Sequence, residues 1–148
     1  MTPPEAPRPL HVLLVDDNDF DRLLAEEAFA DYQDEVRVTT CERGPEALTW
    51  LRYPGTRLPD VVLLDINMPG MTGFEVLQAL KEDPALRLIP VVMLTTSTNE
   101  RDVQQAYTLH ASSYLVKEPS FPVFLKAIDS FVQYWVKSSR LTHWPERG

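Results

Sequence analysis

Four short apolar runs of this chain are each followed by side chains that can bind ions or donate a hydrogen bond. Asp16 and Asp17 follow the run nearest the amino terminus, and Asp65 follows the next of the four. Thr95 and Lys117 follow the remaining two. Carboxylates, a hydroxyl and an ammonium can together hold a divalent cation and a tetrahedral dianion. The pattern therefore predicts an ion-binding site, provided that the fold brings the four positions together.

The carboxylates at 16, 17 and 65 would repel one another if they met, and a divalent cation relieves that repulsion. Oxygen ligands with room for water suit magnesium better than zinc, and no Cys or His lies at ligand spacing. Lys117 and Thr95 would then surround one carboxylate with donors for a dianion. A carboxylate in such a site can attack phosphorus and form an acyl phosphate.

Each of these residues also has a purely structural explanation. Asp16, Asp17 and Asp21 precede or open a helix, where acids stabilise the helix dipole by roughly 0.3–1 kcal/mol each. For Asp21 we prefer this explanation. Asp65 stands close to a turn signal. Taken alone, Thr95 could be an ordinary strand-end residue and Lys117 an ordinary solvated side chain. Their occurrence together at four strand ends is what favours a site.

The elements that would position these side chains alternate between strand and helix patterns. Segments rich in β-branched and aliphatic residues lie at 10–15, 36–41, 61–64, 91–94 and 114–116. Three of them are almost continuously apolar, which is typical of a parallel sheet covered on both faces. Five helical patterns alternate with them and predict an α/β fold with right-handed crossovers. Such sheets bind ligands at the carboxyl ends of their strands.

For two helices the sequence also predicts a packing face or a cap. The face of the first helix that we expect to pack on the sheet carries four apolar residues: Phe20, Leu23, Leu24 and Ala28. The fourth helix is expected to open with a capping box formed by Ser97 and Glu100.

Composition limits the class of protein. The chain has 148 residues, a formal net charge of −8 and 44% hydrophobic residues. That is enough for one domain with a core, and the acidic balance argues against a nucleic-acid partner. One cysteine, Cys41, suits a reducing cytoplasm. No apolar run approaches the roughly 18 residues of a membrane helix, so we expect a soluble cytoplasmic protein without a membrane partner.

Several segments resemble one known family. They are VLLVDDN at 12–18, VVLLDINMPGMTG at 61–73, PVVMLT at 90–95 and YLVK at 114–117. Over about residues 10–137 the chain resembles the receiver domain of response regulators in two-component signalling. The resemblance implies a flavodoxin-like fold, with a five-stranded parallel sheet in the order 2-1-3-4-5 flanked by five helices.

The resemblance also implies a role for each matching residue. Asp65 would accept a phosphoryl group from a histidine kinase and then lose it slowly. Asp16, Asp17, Asp65 and the backbone carbonyl of Asn67 would bind Mg²⁺ as the cofactor.

Two further positions would carry the response. Thr95 and Lys117 would bind phosphoryl oxygens, and Thr95 with the aromatic side chain of Tyr114 would form the switch. The segment DNDFDRL at 17–23 and the long last helix resemble single-domain regulators that are partners of bacterial phytochrome kinases. Too few residues follow that helix for an output domain, so we expect a phosphoacceptor module and not an enzyme.

The chain departs from the family pattern at two places. Receivers usually have Lys-Pro, often with a cis bond, where this chain has Lys117-Glu118-Pro119. Any cis bond should then lie at Glu118–Pro119 or be absent. The usual glycine after the fourth helix is His110, so that turn must accept a β-carbon or change conformation.

Two other functions are compatible with a carboxylate at a strand end. A phosphohydrolase of the haloacid-dehalogenase type needs a second Asp two residues after the nucleophile, and Asn67 cannot serve as a general acid. A receiver-like domain that is not phosphorylated would usually lack one of the site residues, all of which are present here.

The sequence also predicts the domain boundaries and an assembly through the last helix. We expect a proline-rich lead-in at 1–9, the receiver domain at 10–139 and a C-terminal arm at 140–148. The apolar stripe of the last helix is wider than one sheet-facing side needs, and Leu141 and Trp144 follow it. Exposed tryptophan is typical of binding surfaces. A homodimer through the fifth helix and the arm is therefore expected, unless the arm folds back or frays.

Overall fold

The alternation predicted from the sequence is confirmed by the fold. A computed structural model describes residues 8–96 and 99–142, without the side chains of 139–142. Its elements are β1 (Leu10–Val15), α1 (Asp19–Ala30), β2 (Val36–Cys41), α2 (Gly44–Arg52), β3 (Val61–Asp65), α3 (Gly73–Glu82), β4 (Val91–Thr95), α4 (Glu100–Thr108), β5 (Ser113–Val116) and α5 (Phe121–Thr142). The strands form one parallel sheet in the order β2-β1-β3-β4-β5, as expected.

Helices cover both faces of this sheet. α1 and α5 pack on one face, and α2, α3 and α4 pack on the other. Successive side chains of a strand point to opposite faces, so Leu14 enters the first core and Val15 enters the second. Every residue of β3 and β4 is buried. The double cover explains why these strands are continuous apolar runs in the sequence.

The buried face of α1 differs from the predicted one. Phe20 and Leu23 are 66% and 53% exposed, so the prediction that they pack on the sheet was wrong. The buried residues are Ala25, Ala28 and Phe29. The small side chains of Ala25 and Ala28 allow the helix to approach the sheet closely, and Phe29 contacts the ring of Phe131 on α5. Two overlapping apolar faces exist on this helix, and tertiary packing selects one of them.

The start of α4 also differs from the prediction. The N-cap is Asn99, whose side chain accepts a hydrogen bond from the backbone N–H of Arg101. Ser97, the predicted capping residue, lies outside the described residues. Asparagine is among the strongest N-cap residues, so a cap directly before Glu100 replaces the expected capping box.

The turn that follows α4 contains His110, a residue with a β-carbon, in a backbone conformation that usually requires glycine. The N–H of His110 donates to the carbonyl of Tyr107 (3.0 Å), and the N–H of Ala111 donates to the carbonyl of Ala106 (2.9 Å). These two bonds form a Schellman motif, in which the His110 position favours glycine. His110 has a φ of 68°, so it adopts the left-handed conformation in spite of its side chain.

The last helix is longer than its sequence pattern predicts. α5 continues to Thr142, so residues 140–142 of the predicted arm are helical. No peptide bond among the described residues is cis, so the bond between Glu118 and Pro119 is trans. Within the described ranges, no helix combines the length and the apolar character that crossing a membrane requires.

We expect His110→Gly to raise the free energy of unfolding by about 0.5–1 kcal/mol. Glycine removes the steric cost of the left-handed conformation, and part of the gain is offset by greater freedom of the unfolded chain. Urea denaturation followed by circular dichroism measures the change. His110→Ala keeps a β-carbon and is the control; an equal gain in both variants would contradict the explanation.

Candidate functional site

The carboxyl ends of β1 and β3 bring three carboxylates together. Val15 pairs with Leu64 in the parallel register, so Asp16 and Asp65 come next to each other at the edge of the sheet. One oxygen from each of Asp16, Asp17 and Asp65 lies within 4.8 Å of the others. The convergence that the sequence predicted for these three side chains is therefore present in the fold.

Local backbone geometry orients two of these carboxylates. Asp16 Oδ1 accepts a hydrogen bond from the N–H of Asn18 (3.0 Å), and Asp65 Oδ1 accepts one from the N–H of Asn67 (3.2 Å). Both side chains are buried, whereas Asp17 is partly exposed. In each case a turn residue two positions later holds one carboxylate oxygen, which leaves the other oxygen directed into the site.

Lys117 supplies the positive charge of the site. Its ammonium lies 2.8 Å from Asp16 Oδ2, 2.9 Å from Asp21 Oδ2 and 3.5 Å from Asp65 Oδ2. Burial lowers the pKa of Lys117, but the contacts with Asp16 and Asp21 and the attraction of Asp65 outweigh burial, so the pKa is raised. Lys117 therefore remains a cation in this site.

The surroundings favour the charged form of Lys117 but disfavour the charged form of Asp65. Burial and the neighbouring charge of Asp16 raise the pKa of Asp65 to about 7, against the lowering effects of Lys117 and of the Asn67 N–H. The ordinary pKa of an aspartate is about 3.9. One ammonium is thus not enough to offset the negative charge that the fold concentrates here, and further positive charge would stabilise the ionised form of Asp65.

The donor atoms fit a divalent cation. Asp16 Oδ2 is buried, and the Lys117 ammonium, 2.8 Å away, is the group that offsets its charge. Asp17 and Asp65 each present an oxygen to the same space. Hard oxygen ligands of this number, with the remaining positions open to water, are those that Mg²⁺ binds in proteins.

Thr95 lies beside the site, and Tyr114 lies on the neighbouring strand, nearer to the surface. Thr95 is the last residue of β4 and is buried, and its carbonyl accepts a hydrogen bond from the N–H of Lys117 (2.7 Å). Tyr114 lies on β5 and is 38% exposed. Its ring meets the ring of Tyr107 on α4 edge to face, with 6.1 Å between centroids. The predicted switch residues therefore lie on adjacent strands, one beside the site and the other at the α4 surface.

Asp21 is the residue that sequence reasoning assigned to another role. The interpretation as a helix-dipole acid missed its ion pair with Lys117 at 2.9 Å. α1 begins directly after the carboxylates of β1, so the first turn of α1 stands over the strand ends. An acid in that turn is therefore within reach of the site. The position of Asp21 in the first turn of α1 is the feature of the sequence that could have identified it as a site residue.

Gly73 permits the close approach of α3 to the site. A β-carbon at Gly73 would lie 2.1 Å from the carbonyl oxygen of Asp65 and 2.8 Å from the Cα of Ile66. The N–H of Gly73 donates to the Ile66 carbonyl (2.9 Å). The start of α3 thus fixes the backbone that carries Asp65, and this contact requires glycine.

Comparison with known proteins agrees with this geometry. Residues 12–129 match the family model of the response regulator receiver domain. The probable methanogenesis regulatory protein FilR2 of Methanothrix harundinacea is 39% identical over 139 residues, which cover 92% of this chain and 90% of that protein. The response regulator Rcp1 of Synechocystis is 33% identical over 141 residues, which cover 93% of this chain and 96% of Rcp1.

Solved structures show the same similarity. The phosphorylated cyanobacterial phytochrome response regulator RcpA superposes with a TM-score of 0.82 at 35% identity, over 88% of this chain and 96% of that chain. The Mn²⁺-bound form of Rcp1 superposes with a TM-score of 0.80 at 34% identity, with the same coverage. From its sequence match, its sheet order and the carboxylates gathered at its strand ends, this chain belongs to the family of response regulator receiver domains.

Proposed function

We propose that Asp65 accepts a phosphoryl group from a histidine kinase in a Mg²⁺-dependent reaction, and that the chain signals by the conformational change that follows. The observation that carries the proposal is the environment of Asp65. Its buried carboxylate shares one edge of the sheet with Asp16 and Asp17, and the Lys117 ammonium lies 3.5 Å away.

In this reaction a carboxylate oxygen of Asp65 attacks phosphorus while the bond from phosphorus to the kinase histidine nitrogen breaks, and that nitrogen takes up a proton. Asp16, Asp17, Asp65 and the carbonyl of Asn67 would hold Mg²⁺, which when bound offsets negative charge on the carboxylates and the phosphoryl oxygens. Lys117 binds a phosphoryl oxygen from the other side. The ionised form of Asp65 is the nucleophile, so groups that favour ionisation also favour transfer.

The signal then passes through Thr95 and Tyr114. A phosphoryl group on Asp65 draws the Thr95 hydroxyl toward it, and the space that Thr95 leaves admits the ring of Tyr114. That ring packs against Tyr107 in this structure, so its inward movement would change the α4–β5 surface. A local charge change thereby shifts the population of two conformations.

The kinase we propose is of the bacterial phytochrome type. Two similar solved structures are a cyanobacterial phytochrome response regulator at 35% identity and a bacteriophytochrome response regulator, AtBRR, at 40% identity.

A cytoplasmic location fits the cysteine content. Burial raises the pKa of the single thiol, Cys41, to about 12, which keeps it unreactive.

We also propose that the protein forms a homodimer through α5. A groove of about 580 Å³ lies between β5 and α5, and its aromatic lining includes Tyr114, Phe131, Tyr134 and Trp135. Tyr134 is 63% exposed. β5 is an edge strand of the sheet, so this groove borders backbone that a second copy can cover. The predicted contributions of Trp144 and of the Leu141 side chain lie outside the described residues.

We expect incubation with Mg²⁺ and acetyl phosphate to add the mass of one phosphoryl group to the protein, and Asp65→Asn to abolish this addition. The amide lacks the anionic oxygen that attacks phosphorus. Intact-protein and peptide mass spectrometry measure the product. Label that persists in Asp65→Asn would contradict the assignment, and sustained hydrolysis of a phosphate ester in excess over the protein would favour the phosphohydrolase instead.

We expect the stability of chelator-treated protein to depend on pH through Asp65. Because folding raises the pKa of Asp65 to about 7, its contribution to stability is present below about pH 4 and is lost as the pH rises through 7. Asp65→Asn, which cannot ionise, should therefore melt above the wild type at pH 8 and close to it at pH 4.5. Asp34→Asn, at an exposed position, is the control in calorimetry. The same difference at both pH values would exclude this explanation.

We expect Tyr134→Glu to shift the protein from dimer to monomer in analytical ultracentrifugation at high micromolar concentration. The new carboxylate would be buried without a partner in the proposed interface. Gln133→Glu introduces the same charge at an exposed α5 position that does not line the groove, and should remain dimeric. A wild type that sediments as a monomer with and without beryllofluoride would refute the dimer.

A further inference from the structure

Lys117 is shared among three carboxylates, and one of them does not belong to the proposed cation site. Asp21 Oδ2 lies 2.9 Å from the ammonium, as close as Asp16 Oδ2 at 2.8 Å and closer than Asp65 Oδ2 at 3.5 Å. An ammonium has three N–H donors. One N–H can serve each of the three carboxylates, and the Asp21 carboxylate offsets part of the positive charge that Lys117 presents to the buried pair.

The first turn of α1 is fixed firmly enough to make this contact specific. The Asn18 side chain accepts a hydrogen bond from the N–H of Asp21 (2.9 Å) and caps the helix. Arg22 Nη1 donates to the carbonyl of Asp16 (2.7 Å), which ties the turn to the end of β1. The Asp21 side chain is 31% exposed, so its pair with Lys117 is partly shielded from water.

Strand alternation explains why α1 is the helix that reaches Lys117. Side chains two positions apart on a strand point to the same face of the sheet. The residues two positions before Asp16, Asp65 and Lys117 all pack in the core beneath α1 and α5: Leu14, Leu63 and Leu115. The two buried carboxylates and the ammonium therefore share the face on which Asp21 stands.

We propose that Asp21 is a positioning residue that holds the Lys117 ammonium and thereby sets the balance between cation and anion binding at Asp65. The proposal rests on the proposed function, since it concerns the same site. Asp21 favours the cation. Because the Asp21 carboxylate offsets part of the charge of Lys117, the ammonium repels a cation beside Asp16 less strongly.

Asp21 disfavours the anion for the same geometric reason. Its carboxylate competes with a phosphoryl oxygen for the donors of Lys117. It also adds a negative charge close to Asp65, because both carboxylates contact one Nζ atom. Removal of this charge should therefore weaken cation binding and strengthen anion binding. A residue with a merely structural role would weaken both.

The experiment compares Asp21→Asn with the wild type in the full chain. Mn²⁺ titration, with free Mn²⁺ followed by electron paramagnetic resonance, measures cation binding. Beryllofluoride titration at saturating Mg²⁺, followed by NMR, measures anion binding. We expect Asp21→Asn to bind Mn²⁺ about three- to fivefold more weakly and beryllofluoride about three- to fivefold more tightly.

Asp19→Asn is the matched control. It removes the same charge from the same helical turn, but Asp19 pairs with Arg22, and its side chain is 90% exposed. We expect both of its affinities to change less than twofold. The proposal is overturned if Asp21→Asn and Asp19→Asn behave alike, or if Asp21→Asn shifts both affinities in the same direction.

The experimental result that would refute the proposed function differs from the result that would refute the role of Asp21. If acetyl phosphate labels no residue, or labels Asp65→Asn, phosphorylation of Asp65 is refuted. The Mn²⁺ comparison between Asp21→Asn and Asp19→Asn still decides whether Asp21 controls Lys117. In a Lys117→Gln background, Asp21→Asn should change Mn²⁺ affinity by a smaller factor than in the wild-type background; an undiminished effect there would show that Asp21 does not act through Lys117.

Discussion

Two carboxylates buried side by side are the constraint on which the rest of this structure depends. Asp16 and Asp65 are almost fully removed from solvent, and burying adjacent like charges costs free energy unless opposite charge lies next to them. Lys117 supplies one such charge, and the raised pKa of Asp65 shows that one is not enough. The remaining imbalance would favour the binding of a divalent cation, as proposed for this site.

The sheet order is what creates this juxtaposition. β1 has β2 on one side and β3 on the other, so the order of the strands reverses direction at β1. Loops diverge at such a point and leave a crevice beyond the strand ends. Asp16 lies at the end of β1 and Asp65 at the end of β3, so both open into that crevice. The close approach of Gly73 to the Asp65 carbonyl then fixes one wall of it.

The proposed route from this crevice to the surface passes beside α4, a helix with few buried residues. α4 buries one residue completely, Ala106, whereas α3 buries Val76, Leu77 and Leu80 as well as its first glycine. The turn after α4 contains His110 in a conformation that is costly for a residue with a β-carbon. An element with few buried contacts is the kind that a small free-energy change can move. This suits the proposal that the α4–β5 surface carries the signal.

The sequence by itself determined the elements and most of the candidate site. Continuous apolar runs specify strands with two covered faces, and the polar residues that end them lie at one edge of any parallel sheet, so Asp16, Asp65 and Lys117 could be predicted to converge. Their proposed roles in phosphorylation remain predictions. Tertiary structure alone decided the orientation of α1, and with it which acid contacts Lys117. Two overlapping faces of that helix are apolar, and the sheet buries Phe29 instead of Phe20. The same packing directs Asp21 toward an ammonium 96 residues away. Local patterns cannot encode that pair, because it depends on how closely a helix and a distant strand end approach after both have packed.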